Sequence, residues 1–231
     1  MYTPESARGA AATGAARRSV RSGSVLRLSV RLSADSLSMR YGARRLFEDL
    51  SFQVGTGERL AVLGENGSGK STLLRVLAGV LTPLGGTVRL TVDGQTVPPH
   101  RLARAVGYAA PALQPYDALT ATENLEFVAR LRGLDAARVP AVLERVGLGG
   151  RGPDRVAAFS TGMRQRLRLA TALLPDPPLL LLDEPGAALD EHGRALVREI
   201  VTAAPAVVLA TNDPAEAALC GRSVRLLAAR R

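Results

Sequence analysis

The chain has 231 residues, of which 46% are hydrophobic, and its formal net charge is +9. This length allows one or two domains with a buried core, and the single cysteine, Cys220, excludes an intramolecular disulfide. The two histidines, His100 and His192, are too few for a metal-ligand cluster, and we expect both on the surface. No apolar run approaches the roughly 20 residues of a membrane span, and no apolar segment of a secretory signal follows the first arginines.

The positive charge is concentrated near the N-terminus. Residues 1–33 contain six arginines and one acid, Glu5, and so supply five of the nine net charges. A basic surface can attract nucleic acid, but the charge outside this segment is modest and scattered, so we do not expect a nucleic-acid partner. The segment lacks sustained periodicity. We therefore expect residues 1–31 to be a disordered Arg/Ala/Ser/Gly extension and residues 32–231 to form the folded domain.

Strand and helix patterns alternate through the rest of the chain. Strand-like patterns come first, at 36–41, 47–54 and 59–63, before a helix at 71–78. A hairpin strand is expected at 88–92, since Asp93-Gly94 is a strong turn signal. Apolar residues at helical spacing then predict a helical insert, within a helical subdomain of about 111–170: Leu125, Val128, Leu131, Val139, Val142, Leu143 and Val146. Continuous apolar runs at 178–182 and 206–210 are typical of central strands in a parallel sheet.

A phosphate-binding loop is predicted between the strand at 59–63 and the helix that follows it. Residues 64–71 match the pattern G-x-x-x-x-G-K-[ST], whose backbone N–H groups converge on phosphate. Lys70 can reach the β- and γ-phosphates, Ser71 can ligate Mg²⁺, and Lys70 is the only lysine in the chain. The nucleotide-binding residues expected here are Gly64, Glu65, Asn66, Gly67, Ser68, Gly69, Lys70, Ser71 and Thr72.

Two acids end the apolar run of leucines at 179–182. A parallel strand delivers such residues to the carboxyl edge of the sheet, where ligands bind. We expect Asp183 to hold Mg²⁺ through water and Glu184 to act as general base on the attacking water. Alone, two acids would more often be a solvated strand end, but the phosphate-binding loop favours the catalytic interpretation.

A third motif precedes the acidic pair, in Phe159-Ser160-Thr161-Gly162-Met163-Arg164-Gln165-Arg166. It resembles a variant of the L-S-G-G-Q signature of ABC transporter ATP-binding subunits. In that family the Ser and second Gly contact the γ-phosphate of ATP bound to the opposite subunit. The resemblance therefore implies an in-trans site at Ser160, Thr161, Gly162 and Met163, which also suits the unpaired N–H groups of a helix N-terminus.

The resemblance extends to two further residues and fails at two others. Tyr41 resembles the aromatic that stacks on adenine, although a core position is also open, and Asp190 resembles the loop residue that links the two sites across the dimer. The family's Q-loop glutamine would fall on Pro111, with Gln114 three residues late. Its switch histidine is replaced by Asn212, which can still donate a hydrogen bond in catalysis but cannot titrate.

The resemblance implies a fold and a function for residues 32–231. The expected fold is an α/β P-loop NTPase with a RecA-like parallel-sheet core, an antiparallel β subdomain and an α-helical subdomain. The expected function is ATP hydrolysis in a homodimer or heterodimer, using ATP and Mg²⁺, to drive a separate transmembrane permease from the inner face of the cell membrane. Small exporter ATPases, including the haem-exporter subunit, resemble the chain. Drug, lipid or antibiotic export stays open, as do a slow or regulatory ATPase and an ABC ATPase acting on ribosomes or nucleic acid.

Overall fold

A five-stranded parallel sheet organises the chain, whose residues 28–227 are described by a computed structural model. The strand order is β6-β7-β8-β3-β9, and every neighbouring pair is parallel. The strands are β3 (Arg59–Leu63), β6 (Val106–Ala109), β7 (Leu179–Asp183), β8 (Val207–Ala210) and β9 (Arg222–Arg225). The expected apolar runs thus form neighbouring central strands, and β7 is buried along its whole length.

A second sheet is antiparallel, with strand order β2-β1-β4-β5. Its strands are β1 (Val30–Tyr41), β2 (Arg44–Gly55), β4 (Gly85–Val92) and β5 (Gln95–Thr96). The turn at Asp93-Gly94 joins β4 to β5 as predicted, and both turn residues have positive φ. Strand β1 begins two residues before the predicted domain boundary, and residues 1–27 of the expected extension lie outside the described part of the chain.

Seven α-helices are present within residues 28–227. They are α1 (Lys70–Leu77), α2 (Leu102–Ala105), α3 (Ala121–Arg132), α4 (Val139–Arg145), α5 (Thr161–Leu173), α6 (Glu191–Ala203) and α7 (Pro214–Ala217). Single 3₁₀ turns lie at Pro99–Arg101, Ala136–Arg138, Gly149–Arg151 and Val156–Ala158. None of these helices combines the length and the apolar character that crossing a membrane requires.

The parallel sheet separates two hydrophobic clusters. Alternate residues of β7 face opposite sides, so Leu179 and Leu181 pack with α1 and the antiparallel sheet, whereas Leu180 and Leu182 pack with the helices α3 to α6. The sheet is thus covered on both faces, as expected for parallel strands. The α/β class, with a parallel core, an antiparallel sheet and helices, is confirmed.

The insert is helical, but one of its apolar residues lies outside the buried face. The buried positions of α3 include Leu125 and Ala129, whereas Leu131 is 60% exposed. Leu131 follows Leu125 by six residues, which rotates it by about 240° around the helix. Leu131, one of the apolar positions that predicted the helix, therefore lies off its buried face. A capping box between Thr120 and Glu123 fixes the start of α3.

Candidate nucleotide-binding and hydrolysis site

The strand order brings the ends of three strands together. Strand β8 lies between β3 and β7, with Ala210 beside Val62 on one side and Asp183 on the other. The loops after these strands therefore meet at the carboxyl edge of the sheet, where ligands of open parallel sheets bind. Asn212, after β8, consequently lies between the phosphate-binding loop and Glu184.

The phosphate-binding loop needs glycine at its first position. Gly64 has φ +150°, and a Cβ there would lie 2.5 Å from the carbonyl oxygen of Leu226 and from the hydroxyl of Ser68. Gly69, with φ +105°, is the N-cap of α1, which begins at Lys70. The loop thus leads directly into a helix N-terminus, whose free N–H groups favour an anion.

The ammonium group of Lys70 is paired within the site. It donates to the carbonyl oxygens of Gly64 at 2.7 Å and Glu65 at 3.3 Å, and to Oδ1 of Asn212 at 3.0 Å. Its Nζ also lies 3.9 Å from Oε1 of Glu184. Because Lys70 is 7% exposed, it carries a nearly buried positive charge beside the loop.

The two acids differ in their surroundings. Asp183 is 4% exposed, and burial raises the pKa of its carboxyl, while the hydroxyl of Ser71 and the charge of Lys70 oppose that rise. Glu184 has φ +48°, and its Oε2 lies 3.4 Å from both the backbone nitrogen of Asn212 and the hydroxyl of Thr211. Asp183 and Ser71 line the same cavity and offer the hard oxygen ligands that Mg²⁺ prefers.

One cavity of about 370 Å³ collects most of the predicted nucleotide-binding residues. Tyr41, at the end of β1, is 51% exposed and lines this cavity. Sequence reasoning missed Arg44 and Leu46 in the same lining, and Arg44 also donates to the carbonyl oxygen of Gly67 at 2.8 Å. The only indication in the sequence is that both residues lie just after the turn that follows Tyr41, the predicted adenine-stacking residue. The lining comprises Tyr41, Arg44, Leu46, Asn66, Gly67, Gly69, Lys70, Ser71, Thr72, Asp183 and Glu184.

The signature residues line a separate cavity of about 500 Å³. Ser160 is the N-cap of α5, and its Oγ accepts from the backbone N–H of Met163 at 3.2 Å. Asp190 is the N-cap of α6, where its Oδ1 accepts from Gly193 N–H at 2.8 Å, a bond that lowers the pKa of this carboxyl. The lining comprises Gly147, Leu148, Arg151, Ser160, Thr161, Gly162, Met163, Arg166, Ala188, Leu189 and Asp190, none of which lines the nucleotide cavity.

Gln114 does not line the nucleotide cavity either. Its Nε2 donates to the carbonyl oxygen of Pro111 at 2.7 Å, and its Oε1 accepts from Arg168 at 2.8 Å. The side chain instead lines a third, mainly apolar cavity of about 310 Å³ between β6, α3 and α5. The late glutamine thus contacts α5 rather than the phosphate-binding loop.

Two further polar side chains hold the loop after Glu184, and the sequence did not reveal them. Buried Gln165 donates to the carbonyl oxygen of Pro185 at 2.8 Å. Glu216 accepts from the backbone N–H of Gly186 at 2.7 Å, and burial raises the pKa of Glu216. A Cβ on Gly186 would lie 2.3 Å from Oε1 of Glu216, so glycine permits this contact. The loop that carries the predicted base is therefore held from both sides.

Residues 47–187 match the family model described as ABC transporter. The chain belongs to the ABC transporter family. It is an ATP-binding subunit of that family and an ATPase.

Relatives in this family act in both directions of transport. The chain is 39% identical, over 80% of its own length and 86% of the relative's, to the cytochrome c biogenesis ATP-binding export protein CcmA of Brucella abortus. It is 44% identical to the taurine import ATP-binding protein TauB of Pseudomonas aeruginosa, over 67% of the chain and 60% of that protein. These relatives favour the transporter interpretation over one in which the protein acts on ribosomes or nucleic acid.

Solved structures support the same assignment. An ATP-binding subunit of an ABC transporter superposes with a TM-score of 0.73 and 31% identity, covering 84% of this chain and 85% of that one. A bacterial ABC transporter cassette solved as a dimer gives a TM-score of 0.75 at 22% identity, covering 87% of this chain and 97% of that one. The second likeness concerns the fold alone.

Proposed function

We propose that the protein works as a dimer, formed by two copies of this chain or by one copy and a related ATP-binding subunit. The dimer closes around two ATP molecules and hydrolyses them to drive a separate permease at the inner face of the cell membrane. The convergence of Lys70, Asn212 and Glu184 at one edge of the sheet supports this proposal most directly. A buried cation, a hydrogen-bonding amide and a carboxylate are among the groups that phosphoryl transfer to water uses.

Six residues in or beside the nucleotide cavity have distinct proposed roles. Lys70 leaves Asn212 and the loop carbonyls to bind the β- and γ-phosphates, while Tyr41 stacks on the adenine ring. Ser71, and Asp183 through water, would hold Mg²⁺, which would supply charge neutralisation at the phosphates. Glu184 accepts a proton from the attacking water, and Asn212 donates a hydrogen bond to a γ-phosphate oxygen.

The separation of the two cavities supports a dimer. The nucleotide cavity and the signature cavity share no lining residue, so the helix N-terminus at Ser160 and Gly162 has no nucleotide of its own subunit beside it. The proposed role of Asp190 is to link the two sites in the closed dimer. Two subunits facing each other would place the α5 N-terminus of one against the γ-phosphate on the other, where its dipole stabilises the charge.

The apolar cavity beside Gln114 supports permease docking. Its lining includes three aromatic rings, and Tyr116 packs edge-on against Phe127 with ring centroids 5.6 Å apart. Leu113 and Tyr116 are 46% and 59% exposed, so the cavity presents apolar surface to a partner. We propose that a short helix of the permease, with apolar residues on one face, fills this cavity.

The direction we propose is export, because the one of these relatives whose length the chain covers most fully is an export protein. The chain spans 86% of the cytochrome c biogenesis export protein but 60% of the taurine import protein and 60% of a Nod factor export protein of Ralstonia nicotianae. A domain of nearly the same length as the cytochrome c biogenesis export protein supports an exporter subunit of similar size. Transport assays with the reconstituted permease would identify the transported molecule.

The deciding experiment compares the purified chain with Glu184→Gln. The native chain should hydrolyse ATP, and the variant should lose about 10²–10⁴-fold in kcat, as expected for loss of a general base. Gel filtration in ATP should then show a trapped dimer for the variant. Glu199→Gln, at an exposed position on α6, is the matched control and should behave as the native chain. Undiminished turnover in Glu184→Gln would refute this assignment.

Slow turnover is a second outcome that the structure favours, because Gln114 is bonded to Arg168 and does not line the nucleotide cavity. ATP binding with negligible hydrolysis in the native homodimer, and brisk hydrolysis when a second ABC subunit is added, would establish a heterodimer. Brisk hydrolysis by the homodimer alone, unaffected by Asn212→His, would exclude it.

A further inference from the structure

A continuous chain of hydrogen bonds joins the apolar docking cavity to the loop that carries Glu184. It begins at Gln114, whose Oε1 accepts from one terminal nitrogen of Arg168 at 2.8 Å. The other terminal nitrogen of Arg168 donates to Oε1 of Gln165 at 2.6 Å. Gln165 in turn donates to the carbonyl oxygen of Pro185 at 2.8 Å, and its Nε2 lies 3.4 Å from the carbonyl oxygen of Glu184.

Each connection in this chain has a clear geometric basis. Arg168 follows Gln165 by three residues on α5, so the two side chains share one face of the helix. The planar guanidinium holds its two terminal nitrogens in a fixed fork, which allows one side chain to bridge two glutamine oxygens. Gln165 is 3% exposed and has little room to turn. Hydrogen bonds therefore connect Gln114 to the backbone beside Glu184 without a gap.

The environment of Arg168 argues against a purely stabilising role. Within residues 28–227, Arg168 forms no salt bridge, and its Nε is buried without a hydrogen-bond partner. Burial and the nearby charge of Arg164 lower the pKa of Arg168. Holding a partly buried cation among neutral partners costs folding free energy, so an apolar side chain of similar length would pack at least as well.

A second arginine connects the loop that contains Gln114 to the start of the signature helix, α5. Arg164 lies one turn before Arg168 on α5 and forms an ion pair with Asp117, in the loop between β6 and α3. It also donates to the carbonyl oxygen of Phe159 at 3.3 Å, directly before Ser160. The loop between β6 and α3 is therefore linked to the Glu184 loop through Arg168 and Gln165, and to the start of α5 through Arg164.

We propose that Arg168 is a positioning residue that couples occupancy of the apolar cavity to the position of Glu184, through Gln114 and Gln165. This inference rests on the proposed function, because it concerns the same ATPase site. Coupling between two sites is reciprocal, so nucleotide at the loop must also alter the cavity. That reciprocity allows a test on the purified protein alone, without the permease.

The test uses the absence of tryptophan from this sequence. Tyr116→Trp places a single reporter in the cavity, at a position that is 59% exposed. Its emission should change on titration with Mg²⁺ and the non-hydrolysable analogue AMP-PNP. Adding Arg168→Met, or Gln114→Ala at an exposed position, should reduce that change at least about fivefold, while calorimetry gives a Kd for AMP-PNP within about twofold of the parent.

The control and the alternative results separate the two hypotheses. Arg130→Met removes an exposed arginine of α3 and should leave the emission change intact. A full emission change in Arg168→Met, or none in the parent despite AMP-PNP binding, would overturn the coupling and leave the proposed function standing. Failure of the parent to bind AMP-PNP in the calorimeter would overturn the proposed function and, with it, this inference.

Discussion

Replacing Asn212 by aspartate should weaken ATP binding at least about 30-fold. In the site, Oδ1 of Asn212 accepts from Lys70 at 3.0 Å, and Nδ2 donates to Oδ1 of Asn66 at 2.8 Å. Asn212→Asp is nearly isosteric but converts the neutral partner of Lys70 into a carboxylate. The lysine then forms a direct ion pair in the nucleotide-free site, and ATP must break that pair before Lys70 can bind phosphate.

The magnitude follows from the distance between the charges. Two unit charges at 3.0 Å attract by about 5.5 kcal/mol at an effective dielectric of about 20 and by about 1.4 kcal/mol in water. Asn212 is exposed and Lys70 is buried, so a value near the lower end, about 2 kcal/mol, is appropriate. This energy corresponds to about 30-fold in Kd, and repulsion between the new carboxylate and the triphosphate adds to it.

Isothermal calorimetry of AMP-PNP binding measures this effect, with Asn212→Ala as the matched control. Alanine removes the same two hydrogen bonds and adds no charge, so its Kd should stay within about fivefold of the native value. The loss in Asn212→Asp should shrink as salt is raised, because the site is open to solvent. Equal affinities for the aspartate and alanine variants would refute the argument that the neutral amide keeps Lys70 available.

Three further predictions concern the folded chain. Burial raises the pKa of Glu216, so its negative charge destabilises the fold above that pKa, and this destabilisation disappears as the pH falls toward 4.5. Glu216→Gln should therefore raise Tm more at pH 8 than at pH 5, and equal rises in Tm at the two pH values would contradict this prediction. Burial raises the pKa of Cys220 to about 11, so at pH 8 only about one thiol in 1,000 is ionised and a disulfide reagent should react far faster after unfolding. Ser160→Ala removes the N-cap of α5 and should cost about 1 kcal/mol, measured by urea unfolding, whereas Ser160→Thr should cost less.

The fold class follows from sequence periodicity and motif context, but the order of the strands does not. The apolar runs at 178–182 and 206–210 are long enough to identify buried strands, and the glycine pattern after 59–63 identifies the phosphate-binding loop. The local sequence of these segments does not predict that β8 lies between β3 and β7. That order results from packing helices on both faces of the sheet, and it is what places Asn212 beside Lys70.

The role of Arg168 lies further beyond sequence reasoning. An arginine three residues after Gln165 on a helix is usually a solvated side chain, and its spacing alone predicts only that the two share a face. Its partner Gln114 stands in a loop whose path depends on how α3 packs against α5. Contacts between residues 54 positions apart require the tertiary fold, so periodicity and motif matching cannot supply them.

The neutrality of Asn212 also bears on how readily the site accepts ATP. In the structure all three hydrogen-bonding partners of Lys70 are uncharged oxygens, and the carboxylate of Glu184 is 3.9 Å away. Hydrogen bonds from this charged donor to neutral oxygens contribute about 1.5–3 kcal/mol each, and a triphosphate replaces them with stronger bonds in which both groups are charged. Lys70 is therefore held in place before ATP arrives, and it exchanges these bonds for stronger ones to phosphate. A carboxylate at position 212 would hold it more tightly and oppose the ligand, which is why the charge of this one side chain should control affinity more than its size.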